Sequence, residues 1–221
     1  MNILVTAGNT QTPIDRVRCV TNIFTGQTGA RIALEAARRG HHVTLFTSHS
    51  EVIPELPVEH LHVKSYRTFD DLSALMENTI SNGGFDAIIH AAAVSDYALA
   101  GIFAKAPDGT MLDVSAGKVK SHHPELWMRL TPTPKLVDRI RPWGFTGTLV
   151  KFKLEVGLND EELLAVAERS RTQSGADLIV ANTLEGKGEF AFIGPIGGKY
   201  ERVSRDQLAR RLLDCLLPLA A

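Results

Sequence analysis

Two rhythms of apolar residues alternate along this chain. Short, nearly unbroken runs at Asn2–Thr6, His42–Thr47, Asp86–Ala93 and Asp177–Ala181 read as strands covered on both faces, with His60–Lys64 a weaker strand of the same kind. Between them lie stretches with apolar residues every three or four positions. Gly29–Arg39 carries Ile32, Ala33, Ala36 and Ala37 on one narrow face and ends at a capping Gly40. Thr68 caps a helix to Ile80 with a stripe of Leu72, Leu75, Met76 and Ile80, and Asn159 with Glu162 makes a capping box for Asp160–Gln173. Ser204 is the expected cap of a last helix whose stripe is Leu208, Leu212, Cys215 and Leu216. Pro134–Ile140 reads as a helix with proline in its first turn, and Leu126–Leu130 as a short strand. Thr148–Glu155 alternates, with Val150, Phe152 and Leu154 on one face and Lys151 and Lys153 on the other. Glu189–Ile193 and Lys199–Val203 suit a hairpin. Val94–Ser121 shows neither rhythm and reads as a long surface loop, the kind that carries function in a compact domain.

The β–α–β order requires right-handed crossovers between parallel strands. The expected architecture is a single three-layer α/β/α, Rossmann-like domain over residues 1–221, with a mostly parallel sheet and a C-terminal β-hairpin. Sheets of this kind bind ligands beyond the carboxyl ends of their strands. Three polar clusters fall at such ends: Gly8 with the loop after it, Ser95-Asp96, and Asn182. His90 and Cys215 are expected in the core.

Composition narrows the class. The 221 residues hold 24 Lys and Arg against 25 Asp and Glu, a net charge of −1, with the signs interspersed. No basic block marks a nucleic-acid binder, so any anion site must be local. The two cysteines, Cys19 and Cys215, are far apart and suit a reducing compartment better than a disulfide scaffold. No apolar run is long enough to span a bilayer, and the chain opens directly on a strand. The expectation is a cytoplasmic protein with no nucleic-acid or membrane partner.

The most telling chemistry lies in Met1–Gly29. A strand, a small-residue turn at Ala7-Gly8-Asn9-Thr10 and a helix start at Thr25-Gly26-Gln27-Thr28-Gly29 make an anion site from free backbone N–H groups and the positive helix end. Gly8, Gly26 and Gly29 would let backbone approach a ligand. The stretch lacks both G-x-G-x-x-G and G-x-x-x-x-G-K-[ST]. Its long loop carries Asp15, Arg16, Arg18 and Asn22, polar groups that a connector does not need.

The segments ILVTAGNTQTPIDRVRCVTNIFTGQTG, HAAAVSDY, GKVKS, TPKLV, VKFKLEV and ADLIVAN together resemble the phosphopantothenate–cysteine ligase family of coenzyme A biosynthesis, over nearly the whole chain. Length and the KFKLEVGLNDEELLAVAERS stretch resemble the stand-alone ligase rather than the form fused to a flavin decarboxylase. The resemblance implies Mg²⁺ and a nucleoside triphosphate, CTP or ATP, that activate 4′-phosphopantothenate as an acyl-nucleotidylate for attack by the amine of L-cysteine, in a homodimer. It implies roles residue by residue. Asn22 holds the acyl intermediate and Lys118 closes over it. Arg18, with Thr25 and Gly26, binds phosphopantothenate. Gly8, Asn9, Thr10, Ala92, Ala93, Asp96, Pro134, Lys135, Leu136, Val137 and Phe152 meet the nucleotide, with Asp96 a candidate metal contact.

The chain departs from the family pattern in places. Asn9 replaces a glycine, Gln27 a lysine, and Lys151 a glycine. Ser170 and Ser174 stand where two lysines assigned to CTP would align, so Lys151 or Arg171 is expected to replace their charge. Two other classes compete. A short-chain-type nicotinamide oxidoreductase shares the βαβ start, but none of Tyr66, Tyr97 and Tyr200 is followed four residues on by lysine. A non-catalytic nucleotide-binding relative would keep the fold and lose the chemistry.

Overall fold

The structure is a computed structural model that describes residues 1–53 and 58–216. β1 (Asn2–Ala7) starts the chain, and a two-stranded hairpin of β2 (Gln11–Pro13) and β3 (Cys19–Thr21) occupies the loop before α1 (Gln27–Arg38). α1 ends in a Schellman turn at Gly40, whose φ of 80° needs glycine: Gly40 N–H donates to Ala37 and His41 N–H to Ala36. β4 (His42–Thr47), β5 (Leu61–Ser65), α2 (Phe69–Ser81) and β6 (Ala87–His90) follow. Thr68 and Asp71 cap α2 reciprocally.

Residues 94–121, expected to be loop, contain β7 (Tyr97–Lys105) and β8 (Met111–Asp113). They pair antiparallel with each other and with β9 (Trp127–Pro132) to make a separate three-stranded sheet, here called the flap. The Ala98–Ala104 run hides its strand character behind small residues. Only its inner face is covered, with Ile102 and Ala104 buried.

Pro134–Ile140 also differs from expectation. Leu136–Arg139 is one tight 3₁₀ turn, enough to bury Leu136 and Val137 but not a full helix. β10 (Thr148–Glu155), α3 (Asp160–Gln173), β11 (Leu178–Thr183), β12 (Phe190–Ile196), β13 (Lys199–Ser204) and α4 (Leu208–Leu216) complete the order. Asn159 and Glu162 form the expected box on α3. Ser204 does not cap α4: the hairpin ladder holds it opposite Phe190, and a turn intervenes.

The main sheet runs β13-β12-β11-β10-β6-β1-β4-β5. The six strands from β11 to β5 are parallel, and β12 and β13 add an antiparallel edge. Adjacent residues of a strand serve opposite layers. Ile3, Val5 and Ala7 pack with α1 and α4, while Leu4 packs with Phe46, Leu72, Met76 and Leu136 on the α2 side. That double coverage is why these strands read as unbroken apolar runs. His90 and Cys215 are buried, and both cysteines are free. No helix among the described residues is long and apolar enough to cross a membrane.

Candidate active site

β4 and β5 lie on one side of β1, and β6, β10 and β11 on the other. The strand order therefore reverses between β1 and β6, and a crevice opens beyond their carboxyl ends. Gly8 follows β1 with φ 91°, and Gly26 caps α1 with φ 82°. The missing side chains point into protein: a Cβ on Gly8 would strike Ser48, one on Gly26 the backbone of Gly8, and one on Gly29 the Ala7 methyl. These glycines let the helix start approach the strand end, which corrects the expectation that they clear space for a ligand.

The turn and the far loop are bonded to the end of β6. Ala93 N–H donates to Gly8 O at 2.8 Å, and Ser95 N–H to Thr10 Oγ1 at 2.8 Å. The exposed Asn22 donates Nδ2–H to Ala93 O at 3.0 Å. Asn9 is buried and takes no left-handed conformation; its Nδ2–H donates to Asn22 O at 2.6 Å, and its backbone N–H to Ser48 Oγ at 2.9 Å. An asparagine in place of a turn glycine thus braces the loop that holds Asn22. Below the crevice, His90 Nδ1 bonds Thr6 Oγ1 at 2.9 Å, and that hydroxyl also accepts Ala92 N–H. Burial, and then the nearby Lys151 charge, lower the His90 pKa to about 4, so the ring is neutral at pH 7.

Asp96 and Lys135 face each other at 2.5 Å, both more than half exposed. Thr25, Pro134 and Lys118 are exposed; Gly26, Ala92 and Ala93 are half-buried. Phe152 packs toward the α1 and α4 layer, whereas Leu136 and Val137 belong to the α2 layer. The sheet separates groups that the resemblance brings to one base. Arg18 gives Nε and Nη2 to Asp15, and Nη2 also to Val119 O. Among the described residues Nη1 has no partner.

Two cations escaped the sequence reading in part or whole. Lys151 is buried, and its Nζ donates to Ser170 O at 2.9 Å and Ser174 Oγ at 2.6 Å; Ser174 in turn donates to Asp138 Oδ1 at 2.6 Å. Burial lowers the pKa of this ammonium, and Asp138 opposes the shift. Its charge sits at the two serines that stand for lysines. Arg171, the other candidate, is committed to Glu168 and Ala176 O. Arg205 reaches Thr28 Oγ1 in the first turn of α1, beside Gln27. No sequence signal could have placed it there from 177 residues away. A cation at a positive helix end favours an anion between them.

Among the described residues no group of three or more His, Cys, Asp and Glu side chains could hold a metal ion, and Asp96 is already paired. The residues present do not fit a protein cage for Mg²⁺. Cavities of about 430 Å³ and 590 Å³ lie elsewhere, beside His42 and His60 and beside Tyr66 and Asn78.

Sheet order and crevice define a Rossmann-like α/β/α protein with its polar groups gathered at the switch point. The chain matches the family described as "DNA/pantothenate metabolism flavoprotein C-terminal domain" over residues 1–217, and it belongs to that family. It is 37% identical over 217 residues to the coenzyme A biosynthesis bifunctional protein CoaBC of Thermococcus kodakarensis, covering 96% of this chain and 50% of that protein. The chain thus spans about half the length of the curated relatives it matches. The crystal structure of the DNA/pantothenate metabolism flavoprotein from Streptococcus pneumoniae superposes with a TM-score of 0.83 at 28% identity, over 97% of each chain. A Cab2 H337A mutant in complex with phosphopantothenate-cysteine shares the fold at a TM-score of 0.71 and 15% identity, over 99% of this chain and 86% of that one.

Proposed function

We propose that this chain is one ligase domain that joins 4′-phosphopantothenate to L-cysteine in coenzyme A biosynthesis, in the cytoplasm. The observation that carries the reading is the Asn22 amide tied to Ala93 O at the switch point, beside the Gly8–Thr10 turn. A substrate carboxylate oxygen attacks the α-phosphorus of the nucleoside triphosphate, and pyrophosphate leaves. The cysteine amine then attacks the acyl carbon, the C–O bond to the nucleotide breaks, and the nucleoside monophosphate departs as the amide forms. Asn22 donates to the acyl oxygen without a proton equilibrium of its own. Lys118 meets the negative charge that develops on the phosphates. Arg18 Nη1 takes the phosphate or carboxylate of the acid substrate. The relatives named for coenzyme A biosynthesis, and the phosphopantothenate-cysteine bound by a protein of the same fold, support the choice of substrates.

The cosubstrate is CTP or ATP. Gly8, Asn9, Thr10, Ala92, Ala93, Asp96, Pro134, Lys135, Leu136 and Val137 are its proposed contacts, with Thr25 and Gly26 on the acid substrate; Phe152, on the opposite face of the sheet, packs in the core instead. Arg205 and Lys151 would supply charge that the departures at Gln27, Ser170 and Ser174 remove. Mg²⁺ is part of the cosubstrate and rides on the triphosphate with its own waters, a mode that needs no protein cage.

The flap argues for a homodimer. All six residues of β9 are exposed, among them Trp127, Met128 and Leu130, and so are Met111 and Leu112 of β8 on the other edge of the flap. Apolar residues exposed on edge strands mark an interaction site, and a second copy is the proposed cover.

The test follows pyrophosphate and amide with phosphopantothenate, cysteine and each of the four nucleoside triphosphates, for wild type and Lys118→Gln. Wild type makes amide with CTP or ATP. The variant still binds nucleotide, and amide formation falls about 100-fold or more. No pyrophosphate with any triphosphate would overturn the ligase reading; wild-type rates in Lys118→Gln would remove that lysine from it.

A further inference from the structure

We propose that Asp15 is the positioning residue that docks the Lys118 strap onto the loop carrying Arg18 and Asn22. The catalytic part rests on the ligase reading; the docking itself does not.

Asp15 is followed by two exposed residues, Arg16 and Val17, in a surface loop, yet its carboxylate has no exposed area. Five donor contacts explain this. Oδ1 accepts Val17 N–H at 2.9 Å and Arg18 N–H at 2.8 Å. Oδ2 accepts Arg18 Nε–H at 3.1 Å, Arg18 Nη2–H at 2.5 Å, and Val119 N–H at 3.0 Å from 104 residues away. The far side of the strap is tied as well: Arg18 Nη2 donates to Val119 O at 2.7 Å, and Arg16 N–H to Gly117 O at 3.0 Å. Val119 is 2% exposed, while Lys118 and Lys120 on either side are exposed. One buried residue thus anchors the strap and leaves both ammonium groups outside.

The sequence suggests a basic loop free to close over a ligand. The structure instead fixes its middle to the same carboxylate that orients Arg18. The Arg18 guanidinium, and then the N–H groups of Val17, Val119 and Arg18, hold the Asp15 carboxyl well below the usual carboxylate range, so the anchor is charged at pH 7. A saturated carboxylate with no exposed surface cannot be made neutral cheaply, because its donors then lose their acceptor. In Asp15→Asn, either the new amide turns a donor toward Arg18 and the Val119 N–H, or it loses the two N–H groups on the other oxygen. The strap then loosens, Lys118 no longer holds the activated acid, and water competes with the cysteine amine.

The experiment has three readouts on the full chain: amide hydrogen exchange at Val119, trypsin cleavage after Lys118 and Lys120, and pyrophosphate released per amide formed. In wild type the Val119 amide is protected, cleavage is slow, and the ratio is one. In Asp15→Asn, cleavage in the strap speeds up about tenfold or more and the ratio rises above one. Asp108→Asn, which removes a carboxylate bonded only within its own turn, changes neither. An unprotected Val119 amide in wild type, or wild-type cleavage in Asp15→Asn, overturns the docking. Faster cleavage with the ratio still at one overturns the positioning role. A wild type that forms no amide refutes the ligase reading, and the exchange and cleavage arms still decide the docking.

Discussion

The central sheet and the flap obey the same backbone rules and differ in what covers them. β1 is buried from Ile3 to Ala7 and β11 along its whole length, each by helices on both faces. β9 is exposed at every residue despite Trp127, Met128 and Leu130. In the sheet, apolar content is consumed within the chain. In the flap it is left over, and that excess is the physical reason to expect a second copy against it. A strand can therefore be rich in apolar residues and contribute little to the monomer.

The largest test of that contrast is Leu4→Ala. Leu4 is fully buried among Phe46, Leu72 and Met76, so its loss should cost about 2–5 kcal/mol in denaturant unfolding, whatever the protein concentration. A cost below about 1 kcal/mol would mean that the sheet is no better covered than the flap.

Acid should act on the sheet through His90. Its folded pKa of about 4 lies below the ordinary 6.5, so the folded state resists the proton that the unfolded chain takes up. Stability should be complete above pH 6.5 and fall by about 3 kcal/mol as pH drops from 6.5 to 4. His90→Asn should flatten that slope; an unchanged slope would assign it to other groups.

Flap substitutions should instead show in assembly. Trp127→Ala is expected to weaken self-association by about 2 kcal/mol, roughly thirtyfold in Kd by sedimentation. The unfolding free energy of the dilute monomer should move by less than about 0.5 kcal/mol. A monomeric wild type would remove the proposed use of this surface.

The smallest effect falls on the buried cation of the sheet. Lys151→Met removes the ammonium, leaves the Ser174–Asp138 bond in place and should raise the nucleotide KM about tenfold. An unchanged KM for both CTP and ATP would return Lys151 to a structural role.

Much of this was readable in the chain, and the misses share a cause. Three capping signals, Thr68, Asn159 with Glu162, and Gly40, did what their types require, because caps are settled within a few residues. The flap was missed because Ala98, Ala100, Gly101 and Ala104 carry little side chain to advertise a strand, and because its register depends on β9, some 30 residues away. The Ser204 cap failed because a hairpin partner claimed that residue first.

By itself, the sequence determined the alternation of strands and helices, the parallel sheet with its antiparallel edge, and the family, since these follow from apolar period, local capping and a contiguous run of motifs. Only the tertiary structure decided that Asn9 braces Asn22, that Lys151 reaches Ser174, that Arg205 stands at the start of α1, and that Asp15 holds Val119. Each joins a charged or amide group to a partner on another element. A hydrogen bond depends on distance and angle within a few tenths of an ångström, and spacing along a chain does not encode those until the chain has folded.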